Sequence, residues 1–204
     1  MANEPRALLE TVLTRYSQLT SYQDVGLVYW PGRSHDPMCW FNTKFAAPNS
    51  FRFEFVRPHP SPRLRHLLTK YAAGEDASGA YFSTQKRGST AAVEAEESVE
   101  MAVAGATGIS RGAAFHIGQL LLPSIQGNGF RSYKQLRFRP GAKIDGVRCD
   151  RISGRSWRGS PVSIWVGSND LLVRKIVSLK HEEVRFEIQT DVPVDQAAFD
   201  RAGK

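Results

Sequence analysis

The sequence contains little cysteine: only Cys39 and Cys149 occur among 204 residues. They form no C-x-x-C pair, which excludes the common zinc-binding and thioredoxin-like motifs. Two alternatives remain open, a single disulfide or two free thiols. Because both cysteines lie in apolar surroundings typical of strand interiors, two buried free thiols are favoured.

Long apolar runs are also absent. No stretch reaches the roughly 18 residues that a membrane-spanning helix needs. The first residues, Met1–Pro5, lack the basic start and the apolar segment of a signal peptide. Two locations remain: the periplasm, if a signal peptide is missing from this sequence, or the cytoplasm.

The spacing patterns of common catalytic and metal sites are missing as well. The five histidines, His35, His59, His66, His116 and His181, include no H-x-x-x-H pair. No G-x-S-x-G turn occurs, and no glycine-rich phosphate loop follows a strand. His116 lies in an apolar helical segment, where a structural role is favoured. We therefore expect no enzymatic activity, no catalytic or metal-binding residues and no cofactor.

Basic residues are in excess, with 27 Lys+Arg against 20 Asp+Glu and a net charge of +7. Such a charge attracts nucleic acid, anionic lipid or acidic partners. The basic residues are interspersed with apolar ones rather than clustered, so no nucleic-acid partner is expected. Arg52, Arg137, Arg139, Arg174 and Lys175 are instead predicted to lie on solvated strand faces, with peripheral contact to an anionic membrane as the functional alternative.

The first half of the chain begins with a helix and continues with strands. Pro5 and an apolar stripe at i, i+3, i+4 spacing predict a helix over 5–19. Strands are predicted over 22–30, 38–45, 51–55, 63–71 and 80–85, with a turn over 72–78. Phe51, Phe53 and Phe55 alternate with charged residues, so all three are predicted to share one face.

A helical insertion is predicted over about 91–122, with one helix over 91–106 and a second, mostly apolar helix over 112–122. Strands return over 130–138, 143–153, 161–166, 171–179 and 183–190. In the last strand Val184 and Phe186 alternate with Arg185 and Glu187. Short connections between nine or ten strands predict an α+β fold, in which an antiparallel sheet curls into an unclosed half-barrel with the helices on its concave face.

Several segments resemble the LolA/LolB superfamily of periplasmic lipoprotein carriers. Leu8–Tyr22 resembles the family's start, a helix followed by a strand. The segment Ala47-Pro48-Asn49-Ser50-Phe51-Arg52 resembles its Pro-x-x-hydrophobic-Arg phrase. The segments Ile164-Trp165-Val166 and Leu171-Leu172-Val173-Arg174-Lys175 resemble its C-terminal hairpin. The insertion at 91–122 departs from the family pattern.

This resemblance implies a single LolA-like domain over 1–204, in the periplasm, with a helical lid over an apolar cavity. The implied ligand is a lipid, an acyl chain or a lipoprotein. The apolar concave face of a half-barrel either fills with helix or holds a ligand. The residues expected to line the cavity are Val28, Trp30, Trp40, Phe51, Phe53, Phe55, Phe115, Leu120, Leu121, Leu122, Val162 and Ile164.

Two functional hypotheses follow. The first is a non-enzymatic binding protein for an apolar ligand in the half-barrel cavity. The alternative is a periplasmic sensor or interaction domain of the same fold that binds a protein partner. The alternative predicts an exposed apolar patch, or a dimer contact, outside the barrel.

Overall fold

A computed structural model describes residues 4–33, 35–48, 50–58 and 68–200. The helices are α1 (Pro5–Ser17), α2 (Val99–Ile109), α3 (Ala113–Leu121) and α4 (Asn128–Arg131), followed by a C-terminal 3₁₀ helix (Gln196–Phe199). The strands are β1 (Ser21–Tyr29), β2 (Pro37–Ala46), β3 (Ser50–Pro58), β4 (Leu68–Asp76), β5 (Gly79–Lys86), β6 (Ala92–Ala95), β7 (Lys134–Ile144), β8 (Val147–Arg155), β9 (Pro161–Gly167), β10 (Val173–Ser178) and β11 (Glu182–Thr190).

The strands form an 11-stranded sheet in the order β6-β5-β4-β3-β2-β1-β11-β10-β9-β8-β7. All neighbouring strands are antiparallel. The pairing of β1 with β11 joins the N-terminal and C-terminal halves of the chain. Within the described residues β6 and β7 remain the two edges, and the helices cover the concave face. The predicted α+β half-barrel is therefore confirmed.

The pairing register divides the side chains between two faces. The inner face, which the helices cover, carries a buried series across six strands: Ile152, Ile164, Ile176, Glu183, Val28 and Cys39. The outer face carries a second series: Arg151, Trp165, Lys175, Val184, Leu27, Trp40, Val56 and Lys70. The predicted alternation of β3 is confirmed, because Phe51, Phe53 and Phe55 are all buried on the inner face.

Local sequence produces the first helix and one of the hairpins. Pro5 lies in the first turn of α1, and Leu9, Val12, Leu13 and Tyr16 form its buried stripe. Asp145 and Gly146 link β7 to β8 with φ values of 49° and 76°. Positive φ at both central residues matches the right-handed twist of a hairpin, and Asp-Gly tolerates it well.

Two predicted elements, the helix over 91–106 and the strand starting at 130, were wrong in part. Ala92–Ala95 is the edge strand β6, because pairing with β5 overrides the helical preference of Ala and Glu. The following helix begins only at Val99, where the Ser98 side chain accepts a hydrogen bond from the Met101 amide. Helix α4 occupies 128–131, so β7 starts at Lys134 rather than at 130.

The predicted turn over 72–78 is mostly strand, since β4 continues to Asp76. Its small residues serve packing rather than turning. A Cβ atom at Gly74 would lie 2.5 Å from the backbone oxygen of Phe51. The first part of the predicted strand 63–71 lies outside the described residues, as do His59 and His66.

Other expectations can be compared directly with the structure. Cys39 and Cys149 are buried free thiols, as favoured. Arg52 and Arg174 are not solvated: both are buried, and they pair with Glu54 and Asp170. In the described part of the chain, no helix has the length and apolarity needed to cross a membrane.

Candidate functional site

A row of aromatic side chains crosses the inner face of β2 to β5. Its members are Phe41, Phe53, Phe55, Tyr71 and Phe82, and successive ring centroids lie 5.4, 5.5, 4.8 and 6.2 Å apart. Phe41, Phe53 and Phe55 are buried, whereas Tyr71 and Phe82 are only partly buried. This aromatic row is thus a continuous apolar strip that approaches the surface at the β4–β5 side.

Helix α2 packs over β4 and β5, next to this aromatic row. The side chains that it buries are small, namely Val99, Ala102, Val103 and Ala106. Its exposed side includes two glycines, Gly105 and Gly108. Glycine inside a helix costs roughly 0.5–1 kcal/mol relative to alanine. The cover of the row is therefore a short helix with shallow packing and weak intrinsic stability.

A buried charge cluster of Asp24, His116, His181, Glu183 and Arg185 lies beside the row. One guanidinium nitrogen of Arg185 lies 2.5 Å from Oδ2 of Asp24, and another pairs with Glu183. Nδ1 of His116 lies 2.8 Å from Oε2 of Glu183. The rings of His116 and His181 are 5.3 Å apart. The cluster thereby connects α3 to β1 and β11.

Gly26 makes room for this arrangement. It pairs with Phe41 on one side and with Arg185 on the other. A Cβ atom at Gly26 would lie 2.1 Å from the Phe41 ring. With hydrogen in that position, the Arg185 guanidinium lies 4.8 Å from the centre of the Phe41 ring. Such a desolvated cation–π contact stabilises the charge.

The environment shifts the pKa values of the cluster in a consistent way. Burial alone would raise the pKa of Glu183, but the Arg185 and His116 side chains hold it at about 2. Burial would lower the pKa of Arg185, but Glu183 and Asp24 raise it above its usual range. Burial, together with the neighbouring His116, lowers the pKa of His181 to about 4. Around neutral pH the cluster therefore holds ionised Glu183 and Arg185 beside a neutral His181.

His116, His181 and Glu183 are also possible metal ligands, because one donor atom of each lies within 4.8 Å of the others. Two histidines and a glutamate form a donor set that zinc accepts, at bond lengths of about 2 Å. Those bonds require the donor atoms to move closer together. Glu183 is already engaged by Arg185 and His116. The existing pairs account for the cluster as an internal ion network.

Sequence reasoning missed most of this cluster. The alternation predicted in β11 is present, but Glu183 and Arg185 face inward while Val184 and Phe186 lie on the outer face. Asp24 supplies the compensating charge from the neighbouring strand. The one available signal was Asp24 itself, the single charged residue of β1.

The structure places the twelve predicted cavity residues in three settings. Nine are buried in the common core: Val28, Phe51, Phe53, Phe55, Leu120, Leu121, Leu122, Val162 and Ile164. Trp30 and Phe115 are partly exposed. Phe115 lies on α3, and Trp30 follows β1, with the Arg111 guanidinium 5.2 Å from the centre of the Trp30 ring. Trp40 is not brought together with the others, because it lies on the outer face.

Trp40 instead borders a groove of about 350 Å³ on the outer face. Val25, Leu27, Val56 and Phe186 supply apolar side chains to this outer groove. The groove follows from the register, since Leu27 pairs with Trp40, and Trp40 pairs with Val56. The sheet thus has apolar surface on both faces.

Comparison with known proteins identifies the fold. No protein-family model and no curated protein matches the sequence. The Mycobacterium tuberculosis lipoprotein LppX superimposes with a TM-score of 0.55 at 11% identity, covering 96% of this chain and 99% of that one. LprF from Mycobacterium bovis gives 0.52 at 12% identity, covering 95% and 96%. At such identities the likeness concerns the fold alone, and the chain has the LolA-like half-barrel fold that these proteins share.

Proposed function

We propose that this protein is a non-enzymatic binding protein for an apolar ligand, a lipid or an acyl chain. The ligand would lie against the aromatic row after α2 moves aside. The observation that carries the proposal is the cover of the row: a deep aromatic strip lies under a helix whose fully buried side chains are all Ala or Val. Each buried CH₂ group of an acyl chain gains about 0.8 kcal/mol.

Helix α2 opens more readily than the rest of the cover. Helix α3 buries eight of its nine residues and is tied to the sheet through His116. Helix α2 lacks such an ion pair to the sheet among the described contacts, and it contains Gly105 and Gly108. Opening at α2 exposes Tyr71 and Phe82 first, because they already lie at the partly buried end of the row.

The proposal includes a periplasmic location, where lipids and lipoproteins pass between membranes. It draws on the LolA-like fold, whose carrier members bind acyl chains in that compartment. A cytoplasmic location is the alternative. Fractionation of cells of the source organism, with an antibody against this chain, distinguishes the two.

The experiment is saturation binding of a fluorescent 18-carbon fatty acid, combined with native mass spectrometry of protein purified from a bacterial host. Ala102→Leu adds a side chain to the buried side of α2, and Ala104→Leu adds the same side chain to its exposed side. We expect Ala102→Leu to weaken binding at least about tenfold, since the added side chain faces the row and takes up about three carbons' worth of the space that opens for the ligand between α2 and the row. Ala104→Leu is expected to bind like the unmodified protein.

A second variant tests the proposal independently of whether Ala102→Leu folds correctly. Phe82→Ala shortens the aromatic row at its partly buried end, where the core is least affected. Severalfold weaker binding is expected. The proposal fails if no lipid is recovered and no saturable binding occurs, or if Ala102→Leu and Ala104→Leu bind equally well.

The outer groove favours a second candidate function, binding of a protein partner. Trp40 is 40% exposed and borders the groove, and an exposed apolar patch outside the barrel is what this alternative predicts. A photo-crosslinking residue at Trp40, introduced in the native host, tests it against the same residue at Lys44. Repeated capture of one protein from Trp40 alone supports this function, and identical patterns from both positions contradict it.

A further inference from the structure

The connections at the two ends of the sheet carry opposite charge. Because neighbouring strands are antiparallel, the described connecting residues 30–33, 35–36, 87–91, 156–160 and 179–181 all lie at one end. Their charged residues in the described part of the chain are Arg33, Asp36, Arg87, Arg158 and Lys180. We call this the basic end.

The described connections at the opposite end carry only acidic charges. They lie between β6 and α2, between β7 and β8, between β9 and β10, and after β11. Their charged residues are Glu96, Glu97, Asp145, Asp170, Asp191 and Asp195. The charge separation is a property of the folded sheet, because basic and acidic connections alternate along the sequence.

The basic end also carries the most exposed large apolar side chains of the described residues. Trp157 is 65% exposed at the tip of the β8–β9 hairpin, and Leu179 is 64% exposed at the tip of the β10–β11 hairpin. These hairpins are neighbours in the sheet, so their tips lie roughly 10 Å apart at two strand spacings. Trp30, at the end of β1, is 42% exposed at the same end.

Basic residues flank each of these apolar side chains. The Arg158 guanidinium lies 4.5 Å from the centre of the Trp157 ring, and Lys180 follows Leu179 directly. The Arg111 guanidinium lies over Trp30. Tryptophan favours the headgroup level of a bilayer, and Lys and Arg are attracted to anionic lipids.

We propose that the basic end docks on an anionic lipid bilayer, with Trp157 and Leu179 inserted at headgroup depth. The acidic end then points away from the membrane, which orients the molecule. A nucleic-acid site fits less well, because it requires a continuous basic stripe, whereas here protruding apolar side chains separate the charges. The inference goes beyond the proposed function, since docking requires no ligand in the half-barrel.

The orientation also determines where α2, the helical lid over the aromatic row, lies relative to the membrane. Arg111 belongs to the short connection between α2 and α3, and its contact with Trp30 places that connection at the basic end. Docking therefore brings one end of the α2 lid to the lipid surface. A ligand would pass between the bilayer and the aromatic row without crossing water.

The test is flotation of the full chain with vesicles of phosphatidylcholine alone and of phosphatidylcholine with 30% phosphatidylglycerol. Binding is expected only to the anionic vesicles, and it is expected to fall as salt rises. Arg158→Glu with Lys180→Glu is expected to weaken binding at least about 25-fold, at roughly fivefold per basic residue removed. Trp157→Ala with Leu179→Ala is expected to weaken it about tenfold or more.

Matched controls lie at the opposite end and on the outer face. Lys143→Glu with Arg148→Glu makes the same charge change at an exposed cross-strand pair beside the β7–β8 turn, and Trp40→Ala removes an exposed tryptophan elsewhere. Neither change is expected to alter vesicle binding by more than about twofold.

Three results overturn the proposal. The first is equal binding to both kinds of vesicle. The second is an equal loss of vesicle binding in Arg158→Glu with Lys180→Glu and in Lys143→Glu with Arg148→Glu. The third is tighter binding to a 20-base-pair DNA duplex than to anionic vesicles. Titration of the same variants with the soluble fatty-acid probe separates this proposal from the proposed function. A docking defect leaves that titration unchanged, whereas failure of the proposed function removes probe binding from every form of the protein.

Discussion

At the scale of single residues, Arg185 is the central cation of the buried charge cluster. Its side chain is fully buried, yet it contacts two carboxylates and an aromatic ring. An unpaired buried charge is very costly, and a pair with excellent geometry recovers that cost. The residue opposite, Gly26, leaves the space that the guanidinium needs. Arg185 is therefore a structural cation whose partners come from two strands.

Removing this charge tests its role. Arg185→Met keeps a long flexible side chain but leaves Asp24 and Glu183 buried without their counter-charge. We expect the free energy of unfolding to fall by about 3–5 kcal/mol. Chemical denaturation followed by circular dichroism measures the change.

The control lies on the next strand. Lys175→Met removes the cation of a half-buried pair whose Nζ lies 2.5 Å from Glu182 Oε1, and we expect a loss of about 1 kcal/mol or less. Comparable losses in the two variants would show that Arg185 has no special structural role.

At the scale of elements, α2 differs from its neighbours. It begins with a good N-cap at Ser98, but Gly105 and Gly108 weaken its second half. The preceding segment, Ala92–Ala95, also shows the limit of local preference, because an Ala- and Glu-rich sequence forms an edge strand when β5 offers a partner. The lid is therefore bounded by a strand on one side and by the firmly packed α3 on the other.

Replacing Gly105 and Gly108 by alanine is expected to stabilise α2. No heavy atom lies within 4 Å of a Cβ atom added at Gly105 or Gly108, so each substitution gains helix propensity without a clash. We expect hydrogen exchange of α2 amides to slow about two- to fivefold per substitution. Exchange measured by mass spectrometry reports this directly, with α3 as the internal reference. Equal slowing in α3 would indicate global stabilisation, and no slowing in α2 would contradict the weak-helix interpretation.

At the scale of the whole molecule, the buried charge cluster links stability to pH. The pKa of His181 falls from 6.5 to about 4 on folding, and that of Glu183 falls from 4.5 to about 2. The unfolded chain therefore binds more protons in both ranges. The stabilisation is present above pH 6.5, declines through His181 between pH 6.5 and 4, and declines further through Glu183 between pH 4.5 and 2.

Urea unfolding between pH 7 and pH 4 measures the first decline. We expect the unmodified protein to lose about 3 kcal/mol through His181 over this range. His181→Gln is expected to remove most of that slope, because glutamine does not titrate. His35→Gln, in the exposed β1–β2 connection, is expected to retain it. A slope unchanged by His181→Gln would assign the pH dependence to other groups.

The sequence by itself determined the order of elements and the apolar faces of the clearest ones. The stripe of α1 and the alternation of Phe51, Phe53 and Phe55 depend only on periods of 3.6 and 2 residues. Short connections then allowed little besides an antiparallel sheet. Part of the candidate site could be predicted for the same reason, because aromatic residues at every second position of a strand lie on one face.

The tertiary structure decided what period alone does not specify. In β11 the alternation was clear, but only pairing with β1 brought Asp24 into contact with Arg185 and turned the polar side inward. Likewise, only the strand order gathers Arg33, Arg158 and Lys180 at one end. A side chain's face follows from local geometry, whereas its charge partner depends on residues that are distant in sequence and meet only in the folded sheet.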